Sequence, residues 1–259
     1  SSAASDVYKR QVKVSFRDAN LRYAGAGADS LSDITFDVAS GETVGIIGGT
    51  GSGKSSLVNM IPRFYDASQG SVCIDGVDVK DYTLDELRHK VGVVPQKAVL
   101  FAGTIADNIR WGKQDATEAE IDEALEIAQA KEFVDGKENG IYFKITQGGK
   151  NLSGGQKQRL TIARAVVRKP EILILDDSAS ALDFATDAAL RKAIREKTKG
   201  MTVFLVSQRA STIMNSDKII VMDDGQIAGI GTHRQLLSNC EIYREICQSQ
   251  LSEEELSHE

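Results

Sequence analysis

Eight consecutive residues, Gly48-Gly49-Thr50-Gly51-Ser52-Gly53-Lys54-Ser55, fit the spacing GxxxxGK[ST], and residues of those types in that order suit one task, cradling the phosphates of a nucleotide. Glycines let the backbone curl until successive N–H groups point at phosphate oxygens, and the opening of a following helix adds about half a positive charge. Lys54 is placed to reach the β- and γ-phosphates, Ser55 to offer its hydroxyl to Mg²⁺, and the neighbouring Ser56 to support the phosphates. A magnesium site needs a second, acidic oxygen. Asp176 follows the apolar run Ile172-Leu173-Ile174-Leu175, which as a buried strand would carry the carboxylate to its C-terminal end beside the loop. ATP with Mg²⁺ is therefore the expected ligand.

Strands and helices must bring those groups together. Thr43 to Ile47 is a short, mostly apolar run ending in glycines, and Lys54 to Ile61 has helix-forming residues, so the chain reads strand, loop, helix across the motif. Upstream, Val12 to Phe16 and Ile34 to Val38 alternate apolar and polar residues on either side of a Gly/Ala-rich turn, Gly25 to Asp29, the signature of half-buried antiparallel strands. Ser71 to Val79 returns to alternation around Asp75-Gly76, and Lys90 to Val94 makes a further strand before Pro95. From about Thr104 to Val167 the chain reads mostly as helix, with Ile121, Ala124, Leu125 and Ala128 on one face of the stretch Glu118 to Ala130. Ile172 to Leu175, Val203 to Val206 and Lys218 to Met222 then alternate with helical stretches, as buried parallel strands do. The expected fold is α/β: a P-loop core with a mostly parallel sheet, an N-terminal antiparallel β subdomain, and an inserted helical subdomain over about 104–167. Residues 12–251 form the domain, 1–11 read as a non-native or disordered leader, and the acidic stretch 252–259 as a solvated tail.

Composition narrows the classes. The 259 residues are 41% hydrophobic and 26% charged, an ordinary globular balance. A net charge of -6, from 31 basic and 37 acidic side chains, supplies no broad attraction for nucleic acid, which is not an expected partner. Cys73, Cys240 and Cys247 are odd in number and lack metal-ligand spacing, so they read as reduced thiols. No apolar run approaches the roughly 20 residues of a membrane-spanning helix.

Leu152-Ser153-Gly154-Gly155-Gln156, followed by Lys157-Gln158-Arg159, is a Ser-Gly-Gly turn opening a helix between the two phosphate motifs. Here the chain resembles the nucleotide-binding domains of ABC transporters from Val12 to Leu251. That resemblance implies a RecA-like core and a signature, Leu152 to Gln156, that reaches across a dimer to the γ-phosphate on the partner's loop. It also implies a Tyr23 that stacks on adenine, and a Gln96 that senses the γ-phosphate, the metal and the membrane domain. Ser180-Ala181-Leu182-Asp183 matches the D-loop. Phe101 to Ile105, Asn108-Ile109 and Gln147-Gly148-Gly149 resemble exporters in particular. Exporters commonly carry a membrane-spanning domain N-terminal on the same chain, so this sequence is expected to be a C-terminal portion of a longer one, working at the cytoplasmic face of the cell membrane.

Two positions depart from the family. Hydrolysing members place Glu directly after the Asp of this strand, as the base that orients the attacking water; here Asp177 stands there. Its carboxylate is one methylene shorter, and a retreat of roughly 1.5 Å from the proton to be taken costs much of the rate. The switch histidine is replaced by Gln208, which can hydrogen-bond a phosphate but cannot become cationic. His89, His233 and His258 lie outside that position. With capture residues intact and Asp177, Gln208 and Gln96 at the catalytic positions, the pattern resembles the degenerate-site subunit of heterodimeric exporters: an ATPase half whose signature completes the competent site of a second half-transporter. A slow homodimeric ATPase using Asp177 as base, and a module that only senses ATP, are the neighbouring readings. A chromosome-associated ATPase would split Lys54 from Asp176 with a long coiled coil, and no sustained heptads lie between them.

Overall fold

The structure is a computed structural model that describes residues 11–257; residues 1–10 of the expected leader, and His258, lie outside the described residues. Its strands are β1 (Val12–Leu21), β2 (Leu31–Ala39), β3 (Thr43–Gly48), β4 (Gln69–Ile74), β5 (Val77–Asp78), β6 (Val91–Val94), β7 (Gly103–Thr104), β8 (Lys144–Ile145), β9 (Ile172–Asp176), β10 (Thr202–Val206), β11 (Lys218–Asp223) and β12 (Gln226–Gly231). The helices are α1 (Lys54–Asn59), α2 (Leu84–Lys90), α3 (Ile105–Arg110), α4 (Glu118–Ile127), α5 (Lys131–Asp135), α6 (Gly154–Val166), α7 (Phe184–Lys197), α8 (Ala210–Ile213), α9 (His233–Asn239), α10 (Glu241–Gln250) and α11 (Glu253–Ser257).

Side-chain alternation decides the layering. Strands β3, β9, β10 and β11 are apolar at nearly every position, and successive residues enter opposite cores. Ile46, Ile174, Phe204 and Ile220 join the side chains of β1 and β2, whereas Ile47, Leu173, Leu205 and Val221 join those of α4, α6 and α10. A strand buried on both faces must lie inside a sheet covered on both sides. That sheet runs β12-β11-β3-β10-β9-β6, parallel throughout except for the antiparallel β11–β12 hairpin. One face is covered by α1, α2 and the antiparallel sheet β2-β1-β4-β5, the other by the helices from α3 onward. In the antiparallel sheet alternation is one-sided: Val14, Phe16, Ile34 and Phe36 point into the core, with the Phe16 and Phe36 rings stacked 4.5 Å apart.

The α/β architecture with an antiparallel N-terminal sheet and a parallel-rich core is the one the periodicities indicate, and three local details differ. Pairing of β1 extends to Leu21, past the alternation at Val12 to Phe16, because register shifts after Phe16 turn Ala19 and Leu21 back into the core. Helix α1 ends at Asn59, and Met60 and Ile61 continue as a turn whose side chains are still buried. The acidic end, read as a solvated tail, is largely exposed but helical at Glu253–Ser257. Ser252 caps it, accepting the Glu255 N–H at 3.2 Å while Glu255 accepts the Ser252 N–H at 2.8 Å, and Leu256 rests on the core. Among the described residues no helix is long and apolar enough to cross a membrane.

Candidate nucleotide-binding site

Because β3, β6, β9 and β10 are parallel, their C-terminal ends share one edge of the sheet, and the loops that leave them meet there. The strand order β3-β10-β9-β6 sets their neighbours. The glycine loop leaves β3 beside Gln208 after β10; Asp176 ends β9 and Asp177 follows it; Gln96 follows β6 on the far side. These loops, with Tyr23 from the antiparallel sheet, line a cleft of about 410 Å³. A cleft of similar size, about 420 Å³, lies at the opposite ends of β9 and β10. It is lined by mixed charges such as Lys13 and Glu171, 3.0 Å apart, that neutralise one another, whereas Thr50 to Ser56 of the expected phosphate loop line the first cleft.

The loop is shaped by its glycines. Gly51 and Gly53 have φ of 77° and 101°, in the left-handed region that L side chains avoid, and a Cβ on Gly53 would lie 2.7 Å from Leu31. Lys54, 9% exposed, donates from Nζ to the carbonyls of Gly48 at 2.8 Å and Gly49 at 2.9 Å. Burial pushes this ammonium below its usual pKa, and Asp177 and Asp176 hold it up. A cation held only by neutral oxygens, the two carbonyls and the Ser52 hydroxyl at 3.5 Å, is a ready partner for phosphate oxygens, which bond it more strongly. Ser55 donates its hydroxyl to Asp176 Oδ1 at 3.0 Å. Burial pushes the Asp176 carboxyl up, with the Ser55 bond and Lys54 working against it. Two hard oxygens converging beside a phosphate loop suit magnesium, which takes one or two protein oxygens and completes its shell with phosphate and water. Ser55 and Asp176 would hold it, and it would neutralise phosphate charge.

Asp177 sits at φ 52°, in the left-handed region, with its N–H donating to Val206 O at 2.7 Å. Its Oδ2 accepts from Gln96 Nε2 at 3.1 Å. Burial and then the neighbouring Asp176 push its carboxyl up, while Lys54 and Arg209 pull it down. Gln208 Nε2 lies 3.4 Å from Thr50 Oγ1, so its amide hangs over the glycine loop. Tyr23 bonds hydroxyl to hydroxyl with Ser56 and meets the Tyr65 ring edge-on at 4.8 Å, leaving its ring at the mouth of the cleft.

The cleft thus brings together Tyr23, Thr50 to Ser56, Gln96, Asp176, Asp177 and Gln208, while Gly48 and Gly49 lie outside its lining and serve as carbonyl partners of Lys54. It does not include Leu152 to Gln156 or Asp183. Ser153 caps α6 through a reciprocal pair with Gln156, at 3.2 and 3.0 Å, and is exposed; Leu152 is buried beneath it. Gly155 is small because a Cβ there would meet Ala181 O at 3.2 Å. Asp183 caps α7, accepting from the Thr186 N–H at 2.7 Å and from its hydroxyl at 3.0 Å.

The motifs do not name Asp29, Ser30, Val206, Asp224 and Gly225, which also line the cleft, nor Arg209, which braces its loops. Gly225, in the β11–β12 turn, lines the cleft and donates its N–H to Ser52 O at 3.0 Å. The Asp224-Gly225 dipeptide between two apolar runs signals a hairpin, but nothing local says that the turn lands on the phosphate loop. Arg209 donates to Leu182 O at 3.0 Å and Ser180 O at 2.9 Å and covers the Phe184 ring, joining the segment after β10 to the one after β9.

A family model described as "ABC transporter" matches residues 31–180. The chain is 46% identical over 235 residues to an uncharacterized ABC transporter ATP-binding protein of Mycobacterium tuberculosis, covering 90% of this chain and 40% of that one. It is 45% identical over 230 residues to a probable multidrug resistance ABC transporter ATP-binding/permease protein of Bacillus subtilis, covering 89% and 39%. With the ATP-dependent lipid A-core flippase of Hahella chejuensis the identity is 41% over 244 residues, covering 94% and 42%. Among solved structures, a bacterial Atm1-family ABC exporter with ATP bound superposes with a TM-score of 0.89 at 37% identity, covering 93% of this chain and 42% of that chain. The chain therefore spans about two fifths of the length of the relatives it matches.

Proposed function

This chain belongs to the ABC transporter family, and from that premise we propose that it is the nucleotide-binding half-motor of a membrane exporter, closing around Mg-ATP with a second half-transporter. A membrane-spanning domain precedes it on the same chain, and the motor works at the cytoplasmic face. One observation carries the pairing: the capture groups Lys54, Ser55 and Asp176 converge in the cleft, whereas the Leu152 to Gln156 turn stands outside it as an exposed helix opening. An anion-binding helix end that cannot serve its own chain's nucleotide can serve another's. Asp177 and Gln208 make this chain's own site retentive. Asp177 reaches one methylene less far than Glu and is engaged by Gln96, and Gln208 brings an amide where a cation would stabilise developing charge.

A second reading, slow hydrolysis by a homodimer, draws support from the upward shift of the Asp177 carboxyl by burial and Asp176, since a base nearer the working pH is a better one. Turnover separates the two. Under the proposal the purified chain hydrolyses ATP barely above background, Asp177→Asn changes little, and the double substitution Asp177→Glu with Gln208→His raises the rate by about a hundredfold. Brisk hydrolysis by the unmodified chain, abolished by Asp177→Asn, would overturn the retentive site in favour of the homodimer.

A further inference from the structure

The loop carrying Gln208 leads into α8, whose N-cap residue, Arg209, supplies no side-chain bond to the first-turn N–H groups. The missing partner comes from the other end of the domain. Gln250, last residue of α10, accepts the Ala210 N–H on Oε1 at 2.7 Å and donates from Nε2 to the Gln208 carbonyl at 2.8 Å. One partner is an N–H and the other a C=O, so only one orientation of the amide satisfies both. Gln250 thereby spans the backbone of Gln208 to Ala210 like a staple.

The helix that carries it is firmly placed, though Gln250 itself is exposed. Tyr243, Cys247 and Gln250 follow at i, i+4 and i+7, one helical face. Tyr243 and Cys247 are fully buried, and the Tyr243 hydroxyl meets His233 Nδ1 at 2.6 Å, locking α10 onto α9. On its other side the stapled loop is held by Arg209 against Ser180 and Leu182. Between these two anchors, the Gln208 side chain is left pointing at Thr50 in the phosphate loop. We propose that Gln250 is a positioning residue for Gln208, through which the C-terminal helix α10 sets how well the site distinguishes a nucleotide triphosphate from a diphosphate. The inference rests on the reading that Gln208 faces the third phosphate.

The test is calorimetric titration of the purified 259-residue chain with Mg-ATP and Mg-ADP, in the unmodified form and in Gln208→Ala, Gln250→Ala, Gln250→Glu and the double alanine variant. Gln250→Ala lowers the ratio of ATP to ADP affinity by about three- to tenfold, the worth of one hydrogen bond. Gln250→Glu keeps the bulk and the cap on Ala210 but sets an acceptor against the Gln208 carbonyl, and so shows the same loss. The double variant is no worse than Gln208→Ala alone, because the two act as one unit. A role limited to folding would lower both affinities in parallel. That result, an unchanged ratio in the Gln250 variants, or losses that add in the double variant would overturn the inference. If Gln208→Ala itself leaves the ratio unchanged, the functional reading of Gln208 fails and this inference with it.

Discussion

Asp177 shows what a site residue costs before its ligand arrives. Its carboxyl is partly shaded from water and stands beside Asp176, so the folded chain resists charging it. A carboxyl raised in the folded state keeps its proton after the unfolded chain, at about 3.9, has lost its own. The native state therefore binds more protons across that window, and stability falls as pH rises through the shifted value. Above the shifted value the cost is fully present. Asp177→Asn removes the charge, keeps the size, and tolerates φ of 52° at least as well. Its melting temperature without nucleotide should rise at pH 7, where the unmodified carboxyl is charged against its surroundings. The gain should shrink as pH is lowered through the carboxyl's titration, and calorimetric scans at several pH values would measure both. A drop in melting temperature on that substitution would show instead that the charge is held favourably by Lys54 and Arg209.

At the scale of elements, the phosphate loop owes its shape to neighbours that its motif does not name. The β11–β12 turn bears on it, since Gly225 donates to Ser52 O while its own carbonyl accepts from Ser32 N at 2.9 Å. Gly225 has φ of 75°, and a Cβ there would stand 2.3 Å from Ser30 O. Gly225→Ala should cost about 2–3 kcal/mol of unfolding free energy, from backbone strain and displacement of Ser30, and weaken Mg-ATP binding as the loop loses its brace. Asp224→Asn, at φ of 45° where Asn is at ease, should do neither. Denaturant midpoints and nucleotide titrations on both variants check this. The same contrast marks what could be read from the sequence. Runs such as Ile172 to Leu175 disclose a strand buried on both faces because nearly every position is apolar, and the spacing of Lys54 and Ser55 is what points to a phosphate site. Gly225, Arg209 and Gln250 stayed hidden because each acts on a backbone far away in the chain, and a Gly, an Arg or a Gln looks alike in a turn, on a surface or against a site. The helix over Glu253–Ser257 was hidden by composition: three successive glutamates read as solvated chain until Ser252 and Leu256 are seen to cap and dock it.

For the molecule as a whole, the groups proposed to hold a nucleotide line one cleft and the Leu152 to Gln156 turn lies outside it, so the proposed motor is decided by what the Ser153 end of α6 meets. Ser153 has a structural duty that must be separated from that role: its hydroxyl caps α6 through Gln156 N, and its loss to alanine costs about 1 kcal/mol in any helix. An alanine variant that failed would thus be ambiguous. Aspartate resolves this, since it caps as well as serine and its charge suits a helix N-terminus. It also sets a fixed anion where the proposed partner's γ-phosphate must dock, and like charges brought together in a closing interface cost several kcal/mol. Ser153→Asp should therefore leave the chain's melting temperature, and its own affinity for Mg-ATP, close to the unmodified values. Mixed with a half-transporter carrying Glu and His at the two catalytic positions, it should abolish the ATPase activity that the unmodified mixture shows. Reversing the experiment sharpens it: the equivalent change in the partner's signature should spare most of the turnover, because the site it completes, lined by Asp177 and Gln208, contributes little. Equal losses from the two signatures would mean that both composite sites hydrolyse, and the division of labour proposed for this chain would have to be abandoned.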